Sequence, residues 1–557
     1  MKLISLKYII VFASFTLLVS CVEDDFLKEE PLDFYSSVNS FVTLENFQGA
    51  VVDLYAQFRS LRFNSSNNSM ALIYGTDVMF DARLSTTNNR FGDYNVSLNP
   101  TSQLPYWHWS RLYKIISSAN SIIERIAENN TIADSDKALI VAQASYFRAH
   151  AYRNLVHLFG DVPLLLKEVT TPQADFTRQP RQEVYDQIII DLIYASENLP
   201  SISSTQDGKL SNLVAFHLLA EMYLVLGDLD QAIKYTSKVI DDPATELMTG
   251  RFGSLASSPG DTYYDLFRVG NQNRSSGNTE AIWVEQIEVD LPGGFLISSG
   301  LGGNPMERIL VPASFTLIDP DGNPGSLGHR STLNSGGRGV GFMMPTDYVE
   351  NQLWENDFNI DIRNSEFNYV RDFIYDNPAS AYFDSSAVKY PGANLIAQRW
   401  RFYPFFSKVT TPGQHPSGIL SDPALGLINS GGGSTYADQY YLRLPETLLL
   451  RAEAYLAKGD LARAASDINQ VRTRSNATVV QPGEVTIDYI LDERARELTM
   501  EEDRRILLLR LGKLVERVQK YNPHNGDEIQ EHHALWPIPA SEIEANVNGS
   551  LTQNPGY

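Results

Sequence analysis

Residues 219–239 read LAEMYLVLGDLDQAIKYTSKV and residues 451–471 read RAEAYLAKGDLARAASDINQV. Overlaid, the stretches share Ala220/Ala452, Glu221/Glu453, Tyr223/Tyr455, Leu224/Leu456, Gly227/Gly459, Asp228/Asp460, Leu229/Leu461, Ala232/Ala464 and Val239/Val471. Apolar residues recur at helical spacing on either side of the shared Gly-Asp pair. Glycine accepts the left-handed conformation that ends a helix, and the aspartate carboxylate caps the helix that follows. Small alanines let two helices cross closely. Each stretch therefore reads as two antiparallel helices joined by a tight turn.

A small residue, an aromatic three on, glycine four later and alanine five after that is the tetratricopeptide spacing. Stacked pairs of this kind form a scaffold whose surface can carry long loops. Working outward, periodicity predicts a helix over residues 35–60, with Phe41, Leu44, Phe47, Val51, Leu54, Tyr55 and Phe58 on one face and Thr43 as a cap. Further helices are expected over 105–129, 135–159 (stopped by Gly160 in the left-handed conformation), 181–198, 211–226 and 230–241. The last group covers 441–456, 460–474, 486–499 and 502–520. Residues 75–105 are turn-rich and read as loops. Between 250 and 433 glycines cluster and helical pattern is mostly absent, leaving loops and short β-type runs such as Ala281-Ile282-Trp283-Val284 and Arg401-Phe402-Tyr403. The expected fold is mainly α, a helix-pair scaffold with a long irregular portion carrying a few short strands.

The chain has 557 residues, with 67 Asp+Glu against 45 Lys+Arg and a formal charge of −22. No basic stripe is visible, so nucleic acid is excluded as the main partner. Cys21 is the single cysteine, which excludes an intrachain disulfide and a Cys-based metal site. Lys2 and Lys7 precede an apolar run from Tyr8 to Val19 that is too short to span a bilayer and fits an export signal. Leu18-Val19-Ser20-Cys21 has the form of a bacterial lipobox, in which the thiol of Cys21 is the lipidation nucleophile. Acyl chains at about 0.8 kcal/mol per buried methylene would then hold the body at a membrane. Length alone suggests roughly three or four domains. The reading is instead a signal peptide over 1–20, an N-terminal region over 21–245 and a C-terminal region over 246–557, packed as one body.

Four blocks of sequence converge on one family. They are RAHAYRNLVHLFGDVPLLL (148–166), YLRLPETLLLRAEAYLAKGDLARAASDINQVRTR (441–474), LDERARELTMEEDRRILLLRLG (491–512) and the terminal LWPIPASEIEANVNGSLTQNPGY. Together they resemble the SusD/RagB family of Bacteroidetes outer-membrane nutrient-binding lipoproteins. The matching positions are Arg148 and Tyr152 with Gly160-Asp161-Val162-Pro163, then Ala452-Glu453-Ala454 and Asn469-Gln470-Val471-Arg472. Glu493-Arg494-Ala495-Arg496-Glu497-Leu498, Pro537-Ile538-Pro539, Glu542, Asn546 and Gln553-Asn554-Pro555-Gly556-Tyr557 complete the set. One departure stands after Glu501 and Arg504, where Arg505 and Leu507 replace the family's aromatic and aspartate, which puts the local packing in question. The run Val22-Glu23-Asp24-Asp25 resembles the surface-export signal of such lipoproteins, or is a solvated acidic tether. The resemblance implies about four tetratricopeptide-like helix pairs. It also implies a surface-exposed, lipid-anchored outer-membrane protein that captures a glycan and passes it to a TonB-dependent, SusC-like transporter. RagB-type relatives are associated with peptides instead.

An oligosaccharide site needs flat apolar faces for sugar C–H surfaces, ringed by fork-like or amide groups for hydroxyls. Two regions supply both: residues 83–109, and the glycine-rich middle with Phe295, Phe342, Tyr348 and Trp354. The candidate ligand-binding residues are Arg83, Asn88, Phe91, Tyr94, Trp107, Phe295, Tyr348 and Trp354. Trp109, Tyr113 and Asn120 sit at scaffold spacing. There is no GxSxG elbow, Walker loop or HExxH, and the protein is expected to be non-catalytic, with no cofactor and no metal. His532-His533 reads as a surface loop, Asp319–Asn323 as an imperfect calcium loop, and Gly336–Gly341 as glycine-rich without phosphate-cradle context. A surface glycoside hydrolase, which requires two carboxylates across a cleft, is the alternative from another functional class.

Overall fold

Both copies of the repeat fold as helix–turn–helix in the computed structural model, which describes residues 41–63, 67–84, 90–291, 294 and 304–557. Cys21, the export signal and the acidic run lie outside the described residues, as do Asn88 and Phe295. Gly227 and Gly459 both adopt left-handed φ values, +76° and +79°. The next aspartates do the same job in each copy: Asp228 accepts from the Gln231 amide and Asp460 from the Arg463 amide, each at 3.1 Å. Ala220, Ala452, Ala232 and Ala464 are fully buried where the helices cross.

The scaffold consists of α1 (Leu44–Arg62), α2 (Gln103–Glu128), α3 (Asp134–Phe159), α4 (Arg181–Asn198), α5 (Asn212–Leu226) and α6 (Leu229–Ile240). The chain leaves the array after Ile240 and re-enters it with α7 (Leu444–Ala457), α8 (Leu461–Arg474), α9 (Ile487–Leu498), α10 (Arg504–Arg510) and α11 (Leu514–Tyr521). Each helix from α1 to α8 packs on the next, so α6 of the first repeat lies directly on α7 of the second. Arg451 crosses that seam, donating to Ser237 Oγ at 3.0 Å while its fork holds Asp467. The shared glutamates are equivalent too: Glu221 receives the guanidinium of Arg153, and Glu453 that of Arg510. The mainly helical fold expected from the periodicity is what the chain adopts.

Most helix ends sit within a few residues of their predicted places, but the helix expected from residue 35 begins only at Leu44, residues 41–43 being non-helical. Thr43 caps α1 in a reciprocal box with Asn46. Gly160 has φ +76° but ψ −129°, a glycine-only conformation other than the left-handed helical one expected. Residues 439–443 form a strand before α7, because Pro445 is tolerated only in a first helical turn and pushes the helix start to Leu444. The helix expected over 502–520 is broken into α10 and α11 by Gly512, at φ +63°. The strand expected at Arg401-Phe402-Tyr403 lies instead at Phe405–Phe406, past Pro404, which lacks a donor for a ladder.

Among the described residues the loop-rich portion and its borders carry four two-stranded antiparallel ladders. They pair β1 (Met79–Asp81) with β3 (Met343–Pro345), β2 (Ala281–Glu285) with β8 (Gln439–Arg443), β4 (Tyr369–Val370) with β5 (Phe405–Phe406), and β6 (Leu420–Asp422) with β7 (Leu427–Ile428). One hydrophobic cluster reaches from Phe47 to Leu551 and joins this layer to the helices. The terminal block closes it: Asn554 donates to the Phe159 and Trp536 carbonyls, both at 2.8 Å, and Gln553 pairs with both backbone groups of Ile538.

A buried charge network also crosses the boundary. Glu497 on α9 meets Arg443 of β8 (2.9 Å), Arg363 of the loop layer (3.1 Å) and Arg474 of α8. Glu280 joins Arg443 and Arg474, Glu493 joins Arg363 (2.8 Å) and Arg472 (2.6 Å), and Glu501 joins Arg443 (2.6 Å) and Lys408 (2.7 Å). Burial alone would raise the Glu497 pKa, but Arg474, Arg443 and Arg363 outweigh it and hold the carboxyl at about 2, against an ordinary 4.5. Removing one partner from a buried ion network leaves uncompensated charge, so Glu497→Gln is expected to destabilise by about 3–5 kcal/mol in denaturant titrations. A carboxyl depressed in the fold stabilises above its ordinary value and loses that contribution as pH falls. Thermal midpoints of the wild-type chain are therefore expected to drop between pH 4.5 and 2, less steeply in Glu497→Gln.

Candidate functional site

The two regions singled out in the sequence meet at an open groove of about 460 Å³ beside β1 and β3. Its position starts with Asp77, a fully buried carboxylate that takes Arg504 (2.6 Å) and Arg517 (2.7 Å) from α10 and α11. Those pairs pin residues 77–79 against the helices, and β1 follows directly. Asn522 adds a bond from Nδ2 to the Thr76 carbonyl at 2.8 Å, which brings the Pro523-His524 turn over β1. His524 then stacks on Phe80, ring centroids 4.0 Å apart at 23°.

Phe80, Ala82, Met344 and Pro345 form the apolar floor, and Arg83, Leu84, Asp347, Gln398, Arg399, Trp400 and His524 stand around it. After Asp81 the chain turns sharply, with the Arg83 amide donating to Asp81 Oδ1 at 3.1 Å. Arg83 lies over Phe342 (4.8 Å) and Trp400 (4.2 Å), and Arg401 over Trp400 (4.4 Å). Gly341 makes this arrangement possible: at φ +66° a Cβ would stand 2.3 Å from the Trp400 carbonyl oxygen. The glycine-rich 336–341 stretch therefore serves close backbone packing.

Asp347 lines the groove and the buried Glu350 stands behind it as the partner of Arg399, and the two carboxylates differ in character. Burial raises the pKa of Glu350, although Arg399 holds it at 3.0 Å. Asp347 is lowered by the Asn351 and Gln352 amides that it accepts. For His524, burial and then the Arg399 charge lower the pKa below 6.5, leaving a neutral ring at pH 7.

Of the sequence candidates described, Arg83 lines the groove. Trp107 lies half-buried on α2, with the Arg111 guanidinium 4.6 Å from its ring, away from the groove. Phe91, Tyr94, Tyr348 and Trp354 were expected to present rings to a ligand, and their rings are instead enclosed by protein. The cause for the first pair is Arg505. Its guanidinium sits 4.0 Å over Phe91 and donates to the carbonyls of Ala71 and Tyr74 and to the Tyr94 hydroxyl. The departure from the family pattern at this position is thus filled by a buried arginine in a cage of neutral acceptors. Tyr348 bonds Asp492 and accepts from Arg517 at 2.7 Å, and Trp354 donates to the Val349 carbonyl at 2.8 Å.

Trp400 was missed, although Arg399-Trp400-Arg401 carried a signal: an aromatic flanked by cations outside any helical pattern. His533, read as a surface residue, is buried beside Tyr94. The Asp319 carboxylate accepts from its own turn at Asp321 and Asn323 and from Ser380 Oγ. Among the described residues no group of three or more His, Asp or Glu could hold a metal ion.

Comparison with known proteins places this geometry. A family model described as "SusD family" matches residues 422–557, and one described as "Starch-binding associating with outer membrane" matches residues 25–224. SusD-like protein P2 of Formosa agariphila is 26% identical, spanning 99% of this chain and all of that protein. SusD-like protein P25 of the same organism is 24% identical over 97% and 98% of the two chains. Among solved structures, a laminarin-binding SusD-like protein superposes with a TM-score of 0.67 at 23% identity, covering 92% of this chain and 99% of its own. Surface glycan-binding protein A of Bacteroides thetaiotaomicron, solved with laminarihexaose, gives a TM-score of 0.64 at 20% identity, with 92% and 99% covered. From the N-terminal match through the terminal QNPGY block, the chain belongs to the SusD/RagB family.

Proposed function

We propose that this protein is a non-catalytic glycan-binding lipoprotein of the outer-membrane surface, capturing oligosaccharide and delivering it to a partner TonB-dependent, SusC-like transporter. The observation that carries the reading is the groove. The Trp400 indole, over which Arg83 and Arg401 lie, and the His524 ring stacked on buried Phe80 offer apolar surface, while Gln398, Arg399, Arg83 and Asp347 offer forked polar groups around it. That combination suits the alternating C–H and hydroxyl faces of a sugar. The family description that associates its members with the outer membrane, and the glycan ligands named for two structural neighbours, support the same reading. Among the described residues no helix is long and apolar enough to cross a membrane, so anchorage in this reading falls to acyl chains on Cys21.

The hydrolase alternative has one observation in its favour, the opposed pKa shifts of Asp347 and Glu350. Against it, Arg399 engages Glu350 in an ion pair and the Asp347 carboxylate is already bonded by two amides. Incubating the purified protein with polysaccharide and measuring reducing ends separates the two readings; release at a turnover rate would replace the binding role with a catalytic one.

Isothermal titration against oligosaccharides and peptides is expected to give saccharide binding, and binding to peptides alone would make the chain a RagB-like importer component. Trp400→Ala is expected to weaken the saccharide complex by about 1–3 kcal/mol, the range for stacking on an aromatic ring. Cys21→Ser is expected to move the protein from the membrane to the soluble fraction. Arg399→Gln should raise the His524 pKa toward 6.5, read from imidazole NMR shifts, because one of its two lowering influences is removed.

A further inference from the structure

In a chain of net charge −22, Arg83 and Arg399 line the groove, Arg401 lies over the Trp400 ring that Arg83 also covers, and Arg90 lies over Phe342, so four arginines gather at this edge. Two of them face carboxylates: Arg90 lies 3.6 Å from Asp81, and Arg399 3.0 Å from Glu350. Among the described residues the other two form no ion pair, although the Asp81 carboxylate also acts on the Arg83 charge. Arg83 donates to the Val340 and Gly341 carbonyls at 2.5 and 3.4 Å, and Arg401 to Gln398 Oε1 at 3.0 Å. Among the described residues neither forms an ion pair, and the nearby Asp347 is taken by amides.

Both side chains are nevertheless held in place, because each guanidinium is laminated on the same indole. An arginine fixed on a ring has lost little more freedom when its remaining N–H groups meet a planar or tetrahedral oxyanion, and the fork then binds in bidentate fashion. Burial lowers the pKa of each; for Arg83 the Arg90 and Arg401 charges add to that, and the Asp81 carboxylate offsets part of it. The crowded cations are in a state that a bound anion would relieve. A structural role alone, arginine stems covering aromatic surface, would leave the two charges equally content without one.

We infer that the groove selects glycans bearing oxyanions, carboxylates of uronic acids or sulfate esters, over neutral glycans, with Arg83 and Arg401 as the selecting residues. The inference rests on the glycan-binding reading and names the ligand class for the same groove.

The test uses the mature full-length protein in affinity electrophoresis and calorimetry. The probes are laminarin as the neutral glucan, polygalacturonate as the carboxylated glycan and carrageenan as the sulfated one. At least one anionic glycan is expected to bind about tenfold or more tightly than laminarin at low salt, an advantage that shrinks in 0.5 M NaCl as the charges are screened. Arg401→Gln and Arg83→Gln are each expected to cost about tenfold for the anionic glycan and clearly less for laminarin, as befits the loss of a charge-assisted pair. Arg83→Lys, which keeps the charge and loses the fork, should retain part of the preference, and matching melting curves would confirm that each variant folds. Equal binding of neutral and anionic glycans, or a preference unmoved by both Gln variants, would overturn the selectivity while leaving glycan binding in place. No binding to any of the three, with peptides bound instead, would overturn the glycan reading itself. Which anionic glycan binds distinguishes carboxylate from sulfate.

Discussion

The carboxylate of Glu497, held between Arg443, Arg474 and Arg363 where no water reaches, is the interaction on which the rest of the architecture turns. Buried charge is costly unless each partner is matched. The network with Glu280, Glu493 and Glu501 meets that condition by drawing on α8, α9, β8 and the loop layer together. A long irregular segment has no ladder or helical repeat to define its position. Here its arginines and acids must reach specific partners on the helical array, so its placement is dictated by charge matching as well as by apolar burial.

The groove inherits its geometry from a second matched site. Asp77 with Arg504 and Arg517 docks the segment leading into β1 on the last helices, and the Phe80 to Arg83 stretch follows at a fixed place. The opposite wall is set by backbone contact at Gly341 and the Trp400 carbonyl. Rigid helices thus support loop residues that face solvent, a common division of labour between scaffold and site.

Much of this was legible in the chain. The Gly-Asp turns, the buried alanines and the 3.6-residue periodicity of α1 to α9 are local features, read from residues a few positions apart. Their errors were local too: Pro445, Gly512 and Pro404 each moved an element by rules that act within one turn. The candidate site was harder. Aromatic residues in loops were treated as potential stackers, but Phe91 and Tyr94 are claimed by Arg505, more than 400 positions away in sequence, and Tyr348 by Arg517 and Asp492. Nothing in the neighbourhood of those rings announces such partners. Trp400 shows the converse, a half-buried aromatic at the groove whose neighbours in space are the cations beside it in sequence and Arg83.

The helix-pair scaffold and the family could be read from the chain, and Cys21 proposed as an anchor, because helix periodicity, turn glycines and short motifs are written in contiguous residues. Which rings are core and which face the groove, and where its arginines gather, was decided only by the tertiary structure. The physical reason is that burial belongs to the neighbours a side chain meets in space, and here those neighbours come from segments hundreds of residues apart.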